Sequence, residues 1–271
     1  MIEIRHRETG EVLLVSADPL AGGDLRGVDL LYGSAPGINL SGADLRGANL
    51  CSADLRGANL QGARLMHADV SGADLRDADL SGADLADAKL LGVNLTGASL
   101  VSARMVNARF NFACFAEANL SDADLTRADL SRTNGVKAIL TGVDLTSAIA
   151  SYSSLAGADL SGATLNYALF VAADLRGTRL CGADLTFAYF NEALLEDADL
   201  TEALLGTVFA GCESLASARG LDTVDHLGAS SLDIRTLRGS GGRLPTSFLA
   251  AAGVSQATVV PMCADSGVNC F

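Results

Sequence analysis

Tryptophan is absent from this chain of 271 residues, and aromatic side chains make up only 5% of it. A chain with so few large rings must fill its interior with smaller side chains, so a narrow core is expected. No run of about eighteen apolar residues occurs, so the sequence predicts no membrane-spanning helix. The first ten residues are polar and charged, unlike a signal peptide.

The side chains that enzymes use most are also scarce. His6, His67 and His226 are the only histidines, and they lie too far apart in the sequence to indicate a shared site. Lys89 and Lys137 are the only lysines, and neither a GxSxG motif nor a GxxxxGK loop is present. These absences predict a protein that is not an enzyme, with no catalytic residue, no cofactor and no metal site.

The cysteines show neither a CxxC pair nor a zinc-type spacing with histidine. Cys51, Cys114 and Cys181 are far apart in the sequence. A disulfide between Cys263 and Cys270 is one option for the end of the chain, but free thiols are favoured, as in a reducing compartment. The predicted location is therefore cytoplasmic, with no contact to a membrane.

A large apolar residue recurs every five residues from about Leu20 to Leu205. This period matches neither a helix nor a flat strand. It fits a short extended piece followed by a corner, with the large residue and the small residue two positions before it both pointing inward. Glycine is frequent at the corner, as at Gly42 and Gly47, where it relieves steric strain. Stacked coils then bury a continuous apolar column.

Runs such as Ser41–Leu45 and Arg56–Leu60 resemble the A-(D/N)-L-x-x consensus of the pentapeptide-repeat family. The resemblance covers residues 20–215, roughly 70% of the chain. It implies an all-β fold: a right-handed quadrilateral parallel β-helix, or solenoid, with four pentads in each coil. About 9.5 such coils at strand spacing would form a rod roughly 45 Å long.

The two ends depart from the repeat and are predicted to be separate pieces. Residues 1–19 are expected to form a β-hairpin that caps the first coil, because an uncovered sheet edge is a template for pairing. Residues 216–271 are expected to form a short helical cap or tail. Its helices are predicted at 222–227, at 231–237 with Ser231 as the N-cap, and from Pro245 to a C-terminal stop at Gly253.

The repeat weakens where Ala35, Gly135 and Ala150 take the central apolar position. Residues 34–37 and 133–136 are therefore the predicted places for a bulge or kink. A tolerated packing defect is the simpler interpretation, and a functional loop is the alternative.

The net charge of −13 excludes a nucleic-acid-binding protein. Positions twenty apart should stack on one face, and one face is rich in aspartate, although Arg64 and Arg104 interrupt it. This candidate acidic partner face consists of Asp24, Asp44, Asp84, Asp124, Asp144 and Asp184.

A second candidate partner surface is aromatic. Tyr167 and Phe187 are corner residues twenty apart and are expected to stack outward on the acidic face, whereas Phe112 and Tyr152 hold corners on a neighbouring face. Exposed rings on a rod are candidate anchors for a partner. In contrast, Phe110, Phe170 and Phe190 fall at inward positions and are predicted to be core.

The sequence favours a non-enzymatic scaffold that binds an unidentified protein partner through a rigid rod surface. The alternative, implied by the family, is a DNA mimic that binds a topoisomerase (gyrase) and confers resistance to gyrase poisons. A second alternative is the sensor or adaptor of a bacterial TIR-type defence system. It follows from a resemblance of the tail to a segment that precedes such domains: Ser230–Ile234, Thr236–Leu237, Ser240–Gly242, Pro245, Phe248–Leu249 and Gly253–Val254. A homodimer through the C-terminal segment is a further option.

Overall fold

The computed structural model describes residues 1–228 and 230–254. Most of it is a solenoid of single β-bridges and turns, with few longer elements. The strands are β1 (Ile2–His6), β2 (Val12–Ser16), β3 (Gly33–Ser34), β4 (Leu204–Leu205), β5 (Val208–Phe209), β6 (Asp225–His226) and β7 (Ser231–Leu232). The helices are a 3-10 turn (Leu215–Ser217), α1 (Ile234–Gly239) and α2 (Thr246–Ala251).

Each coil of the solenoid contains twenty residues. Parallel bridges join residues twenty apart, as in Asp54↔Asp74 and Asp74↔Asn94, and four such columns run along the rod. Three backbone hydrogen bonds per pentad hold neighbouring coils together: the corner N–H and the N–H of the large residue donate to the following coil, and the N–H of the residue before the large one donates to the preceding coil. The Leu50 N–H donates to the Asp69 carbonyl at 2.7 Å, and the Asp69 N–H donates to the Ala48 carbonyl at 2.9 Å. The four-pentad coil is therefore closed by main-chain bonds that do not depend on the side chains.

A tight turn forms the corner of each pentad. The Ala53 N–H donates to the Leu50 carbonyl at 3.1 Å, and Ser52 between them has a φ of +55°. Glycine tolerates this left-handed conformation, but β-branched residues do not. Non-glycine corners are accordingly Ser, Asp, Asn, Glu, Ala, His, Arg, Lys, Tyr or Phe, and within residues 1–228 and 230–254 none is Val, Ile or Thr.

The core is the column of large residues and the column of small residues that the five-residue period predicts. Leu45 and Ala43 are fully buried, and nearly all their equivalents along the rod are buried too. Phe110, Phe170 and Phe190 are at most 1% exposed, which confirms their predicted place in the core. Phe170 and Phe190 stack with ring centroids 5.1 Å apart.

The predicted bulges at residues 34–37 and 133–136 are wrong. The Ala35 N–H bonds to the Asp54 carbonyl at 2.9 Å and the Gly135 N–H to the Ser154 carbonyl at 2.7 Å, so both segments keep the regular register. Gly135 is small because Phe115 stacks directly against it: a Cβ there would lie 2.2 Å from the Phe115 ring. The large ring in one coil thus compensates for the missing side chain in the next.

The N-terminal strands β1 and β2 pair antiparallel, and β1 also pairs antiparallel with β3 through Arg5↔Ser34 and His6↔Gly33. The sheet order is β2-β1-β3, so the hairpin is attached to the rod at the pentad of residues 31–35. Ile4 is 1% exposed and belongs to the core cluster.

The tail differs from its predicted helices. Residues 222–227 form a turn followed by β6, which pairs parallel with β4, so no helix occurs there. Ser231 lies in β7, which pairs with β5, and the N-cap of α1 is Asp233 instead. The backbone of this segment pairs with the last coil, and that pairing outweighs local helix propensity. Pro245 is the N-cap of α2, and Gly253 follows the helix with a φ of +75°.

The α2 helix packs its buried face on the end of the rod. Phe248 is 1% exposed and lies 6.4 Å from the Phe209 ring and 5.4 Å from the His226 ring. These contacts extend the column of stacked phenylalanines into the tail. Neither α1 nor α2, nor any other helix in the described part of the chain, is long and apolar enough to cross a membrane.

The pairing of Phe115 with Gly135 predicts non-additive core variants. Gly135→Ala should destabilise the fold by about 1–3 kcal/mol, because the new methyl group overpacks against the ring. Phe115→Leu should cost about 1–2 kcal/mol through the cavity it leaves. In urea denaturation the double variant should lose at least about 1 kcal/mol less unfolding free energy than the two single variants lose together. Additive losses would contradict this packing.

A second prediction concerns Asp233, which holds α1 to the rod. Its carboxylate accepts hydrogen bonds from the Thr236 N–H at 2.8 Å and the Gly211 N–H at 2.9 Å. Burial by itself raises the pKa of this carboxyl, but the hydrogen bonds lower it by more, so the pKa in the folded protein is about 2. Because the pKa of Asp233 is lower in the folded than in the unfolded state, the stabilisation that its carboxylate gives is complete above about pH 5. This stabilisation is lost as the pH falls through about 2.

Asp233→Ala should therefore lower the stability of the tail by about 1–2 kcal/mol at neutral pH. The difference from the unchanged protein should shrink below pH 4. Hydrogen exchange of the α1 and α2 amides measures this effect. Asp222→Ala, an exposed change in the same segment, is the control and should leave the exchange rates unchanged. An equal effect of both variants would contradict the role of Asp233.

Candidate functional site

The six aspartates of the predicted acidic face lie in a single column, which we call the acidic column. Its successive bridges include Asp24↔Asp44, Arg64↔Asp84, Asp124↔Asp144 and Thr164↔Asp184. Arg64 and Arg104 interrupt the column, and Leu204 ends it. The structure therefore brings the six carboxylates into one line, though not into an unbroken one.

Arginines neutralise the N-terminal part of the acidic column. Arg26 pairs with Asp24 at 2.6 Å, and Arg46 pairs with Asp44 at 2.6 Å. The hydrogen bond from Arg26 lowers the pKa of Asp24 to about 2. Asp84 accepts from Arg104 at 3.1 Å. Half of the column thus presents ion pairs to solvent, which reduces the negative potential that a DNA mimic needs.

The aspartates also have a structural task that sequence reasoning missed. Asp124 accepts hydrogen bonds from the Thr126 N–H at 3.0 Å and the Thr126 hydroxyl at 2.6 Å, which satisfies a backbone donor at the corner. Asn59 does the same for the Gln61 N–H at 3.0 Å. An Asp or Asn at this position is a local turn acceptor. The frequent aspartates of the repeat are therefore explained by turn chemistry, without a charged partner.

All four predicted aromatic anchors are exposed at corners. Phe112 is 62% exposed, Tyr152 61%, Tyr167 53% and Phe187 56%. Tyr167 and Phe187 stack, with ring centroids 5.0 Å apart and planes 14° from parallel. Their φ values lie between 59° and 63°, so each ring occupies a position at which glycine would be least strained. The local backbone therefore does not account for the rings.

Arg132 joins Phe112 and Tyr152 into one unit, which we call the aromatic clamp. It lies between them in the same corner column, and its guanidinium carbon is 5.6 Å from the Phe112 ring and 5.8 Å from the Tyr152 ring. Sequence reasoning named the two rings but missed the arginine. The twenty-residue spacing of positions 112, 132 and 152 was the available signal.

The face between these two corner columns is apolar in its C-terminal half. The outward residues there are Ile149, Leu169 and Tyr189, joined by successive bridges, where earlier coils carry charged residues such as Arg109 and Asp129. Ile149 is 38% and Tyr189 42% exposed. We call these three residues, together with Tyr167 and Phe187 along their edge, the apolar face. Sequence analysis missed the central column because it examined the outward positions for charge alone.

A groove lies at the C-terminal end of the apolar face. Its volume is about 370 Å³, and Phe187, Tyr189, Val208 and Leu227 contribute its apolar walls. Leu227 is 68% exposed. This size falls within the usual range of binding pockets, about 300–1,000 Å³. The described part of the tail, residues 216–228 and 230–254, therefore adds a wall to the apolar face and leaves its rings exposed.

No cluster of three or more His, Cys, Asp or Glu side chains with metal-binding geometry occurs in residues 1–228 and 230–254. Cys51, Cys114, Cys181 and Cys212 are free thiols. Burial raises the pKa of Cys212 to about 12 and that of Cys51 to about 11. Both thiols are therefore protonated and poorly nucleophilic at neutral pH. Cys263 and Cys270 lie outside the described residues.

The corner conformation predicts that an aromatic anchor can be removed without loss of the fold. Tyr152→Gly relieves a left-handed strain of about 1 kcal/mol and gives up a stacking contact with Arg132 worth about 0.5–1 kcal/mol. Its stability in urea should stay within about 1 kcal/mol of the unchanged protein. Tyr152→Val, which is β-branched, should cost about 1–3 kcal/mol at the same position. A large loss in Tyr152→Gly would show that the ring supports the fold.

The chain was compared with known families and structures. The family model described as pentapeptide repeats matches in eight copies, and the matched residues run from 37 to 206. These residues span more than half of the chain. A comparison with curated protein sequences gave no match.

Three similar solved structures are also pentapeptide proteins or their relatives. HetL, from the cyanobacterium Nostoc sp. strain PCC 7120 and described as involved in heterocyst differentiation regulation, is 36% identical, with 75% of this chain and 89% of HetL covered and a TM-score of 0.43. QnrB1, a plasmid-mediated fluoroquinolone resistance protein, is 19% identical, with 78% and 98% covered and a TM-score of 0.46. A protein of the Arabidopsis thaliana thylakoid lumen is 34% identical, with 39% and 66% covered and a TM-score of 0.25.

The repeat match agrees with the twenty-residue coils described above. The chain therefore belongs to the pentapeptide repeat family, whose members fold as right-handed quadrilateral β-helices.

Proposed function

We propose that this protein is a non-enzymatic scaffold that binds a protein partner through the apolar face and the aromatic clamp. The observation that carries the proposal is the set of exposed rings at left-handed corners, where glycine would serve the fold better. Aromatic side chains are the residues that most often anchor protein interfaces. The rod also holds these rings on a backbone that is hydrogen-bonded in every coil, so little conformational entropy is lost on binding.

The same proposal includes the finer architecture. The coils of residues 20–215 wind to the right, and the hairpin of residues 1–19 caps one end. The described part of the segment 216–271, residues 216–228 and 230–254, caps the other end, and the rest of that segment lies outside the described residues. The pairing of β1 with β3, and of β4 and β5 with the tail strands, supports these capping roles. The free thiols of Cys51, Cys114 and Cys181 support a cytoplasmic location.

The DNA-mimic alternative rests on the acidic column and is the weaker one. B-form DNA carries one charge per ~1.7 Å, or roughly 26 charges over a rod of 45 Å. This chain has a net charge of −13 in total, and arginines pair with the carboxylates of Asp24, Asp44 and Asp84. These ion pairs therefore reduce the negative charge of the acidic column, the surface on which a DNA mimic would depend.

The TIR-type alternative and the homodimer remain predictions of the tail sequence. The described part of the tail forms two short helices and two strands on the last coil. Phe248 of the tail packs on Phe209 in the core, so the fold alone is a sufficient reason for a phenylalanine at this position of the resemblance. Neighbouring genes test the first prediction, and sedimentation equilibrium tests the second.

The scaffold proposal predicts which surface a partner needs. Lysate of the native host would be passed over four baits: the unchanged protein, Tyr167→Gly/Phe187→Gly, Phe112→Gly/Tyr152→Gly, and Asp124→Asn/Asp144→Asn/Asp184→Asn. The glycine variants keep the corner conformation, and the asparagine variants keep the turn acceptor. A partner should be lost from the aromatic variants and kept by the asparagine variant. The opposite pattern would overturn the scaffold proposal in favour of the acidic column.

A gyrase assay tests the alternative directly. The scaffold proposal predicts that the protein, added up to tens of micromolar, neither inhibits DNA supercoiling nor protects gyrase from a poison. Inhibition or protection at low micromolar concentration would favour DNA mimicry. The asparagine variant would then be the informative control, because it removes three charges and leaves the aromatic rings in place.

A further inference from the structure

We propose that the partner segment bound by the apolar face is an acidic peptide that carries large apolar side chains, and that Arg132 binds its carboxylate. This inference rests on the proposed scaffold function and names the chemistry of its ligand. It follows from the charge at the N-terminal border of the apolar face and from the geometry of the aromatic clamp.

The border of the apolar face is positive in an otherwise acidic protein. Eight rod arginines have an aspartate oxygen within 4.0 Å, either two residues earlier or one coil away: Arg26, Arg46, Arg56, Arg64, Arg76, Arg104, Arg176 and Arg179. Within residues 1–228 and 230–254, by contrast, Arg109, Arg127 and Arg132 have no carboxylate oxygen within 4.0 Å. All three are exposed.

These arginines lie beside the apolar face. Arg109 is two coils before Ile149 in the same outward column, with Asp129 between them. Arg127 is two coils before Tyr167 on one edge, and Arg132 is one coil before Tyr152 on the other. Asp129 is the intervening carboxylate, and it accepts hydrogen bonds from the Ser131 N–H at 3.0 Å and the Ser131 hydroxyl at 2.6 Å. The border therefore carries three guanidinium groups and one carboxylate, while Asp124 and Asp144 of the acidic column lie beyond Arg127 on the neighbouring face.

Of the three arginines, Arg132 is the one best oriented to bind a carboxylate. The Phe112 and Tyr152 rings hold its guanidinium between them. No hydrogen bond from its side chain to another described residue is present. A stacked guanidinium keeps its N–H edge free, and that edge matches the two oxygens of a carboxylate. The clamp therefore presents an oriented donor pair next to an apolar strip.

The dimensions fit a short extended peptide. The outward column from Asp129 to Val208 takes four coil steps, or roughly 19 Å at strand spacing. About six extended residues cover this length. An acidic residue on Arg132 would leave the following apolar side chains along Ile149, Leu169 and Tyr189. The groove at Phe187 and Leu227 would accept the last of them.

The test uses fluorescein-labelled peptides of about ten residues and the full-length protein. The first peptide has Asp and Glu at one end and Phe and Leu along the rest. The second has Lys in place of the acidic residues, and the third has Ser in place of the apolar ones. Fluorescence anisotropy should show at least about tenfold tighter binding of the first peptide than of either other, because both the charge-assisted contact and the apolar burial are needed.

Variants locate the binding. Arg132→Gln should weaken the acidic peptide about tenfold and leave the lysine peptide unchanged or slightly tighter. Tyr167→Gly/Phe187→Gly should weaken both by removing apolar contact. Arg179→Gln is the matched control on a different face: Arg179 is exposed and lies 3.8 Å from Asp159. It should leave the affinity for the acidic peptide unchanged.

Each failure has a distinct meaning. If the lysine peptide binds as tightly as the acidic peptide or more tightly, or if Arg132→Gln leaves the affinity for the acidic peptide unchanged, the proposal of an acidic ligand is overturned. The scaffold proposal still stands in that case, provided that partner capture from lysate depends on the aromatic rings. Absence of peptide binding up to about 1 mM would overturn the inference as well. Self-association lost in Tyr167→Gly/Phe187→Gly would show that a second copy occupies the apolar face, and would also overturn it.

Discussion

The main-chain hydrogen bonds between coils are the interaction on which the rest of the structure depends. Each pentad donates two N–H groups to the coil that follows and accepts one bond in return, as in Leu50 to Asp69, and Asp69 to Ala48. Because these bonds repeat every twenty residues, every outward position stacks on its equivalent. Charged, polar and aromatic side chains on the surface of this protein are therefore arranged in columns, and a single substitution changes one position of a column.

Corner chemistry explains most of the repeat that faces solvent. The turn needs a residue that accepts a positive φ and an acceptor for the first corner N–H, and Gly with Asp or Asn satisfies both needs. The abundance of aspartate in this family member is thus largely a requirement of the fold. Departures from the turn chemistry are more informative about function than agreement with it, and the aromatic corners are such departures.

The C-terminal half of one face collects these departures. Its outward column changes from charged to apolar at Ile149, its edges gain stacked rings, and arginines that pair with no carboxylate among the described residues lie at its border. A rod cannot enclose a substrate, so recognition must take place on an open surface. A flat apolar strip with an oriented guanidinium at one end is suited to a peptide that lies along the coils. The rigidity of the rod would keep the cost of binding low.

The sequence alone determined the coil. The five-residue period predicted stacked coils with inward columns, and the resemblance to the pentapeptide-repeat family implied four pentads per coil and therefore the stacking of positions twenty apart. The tertiary structure decided what the period does not encode. Phe115 fills the space left at Gly135, Asp124 bonds to its own corner, and Arg132 lies between two rings. The tail was mispredicted because its strands pair with the last coil, and that edge exists only once the rod has formed.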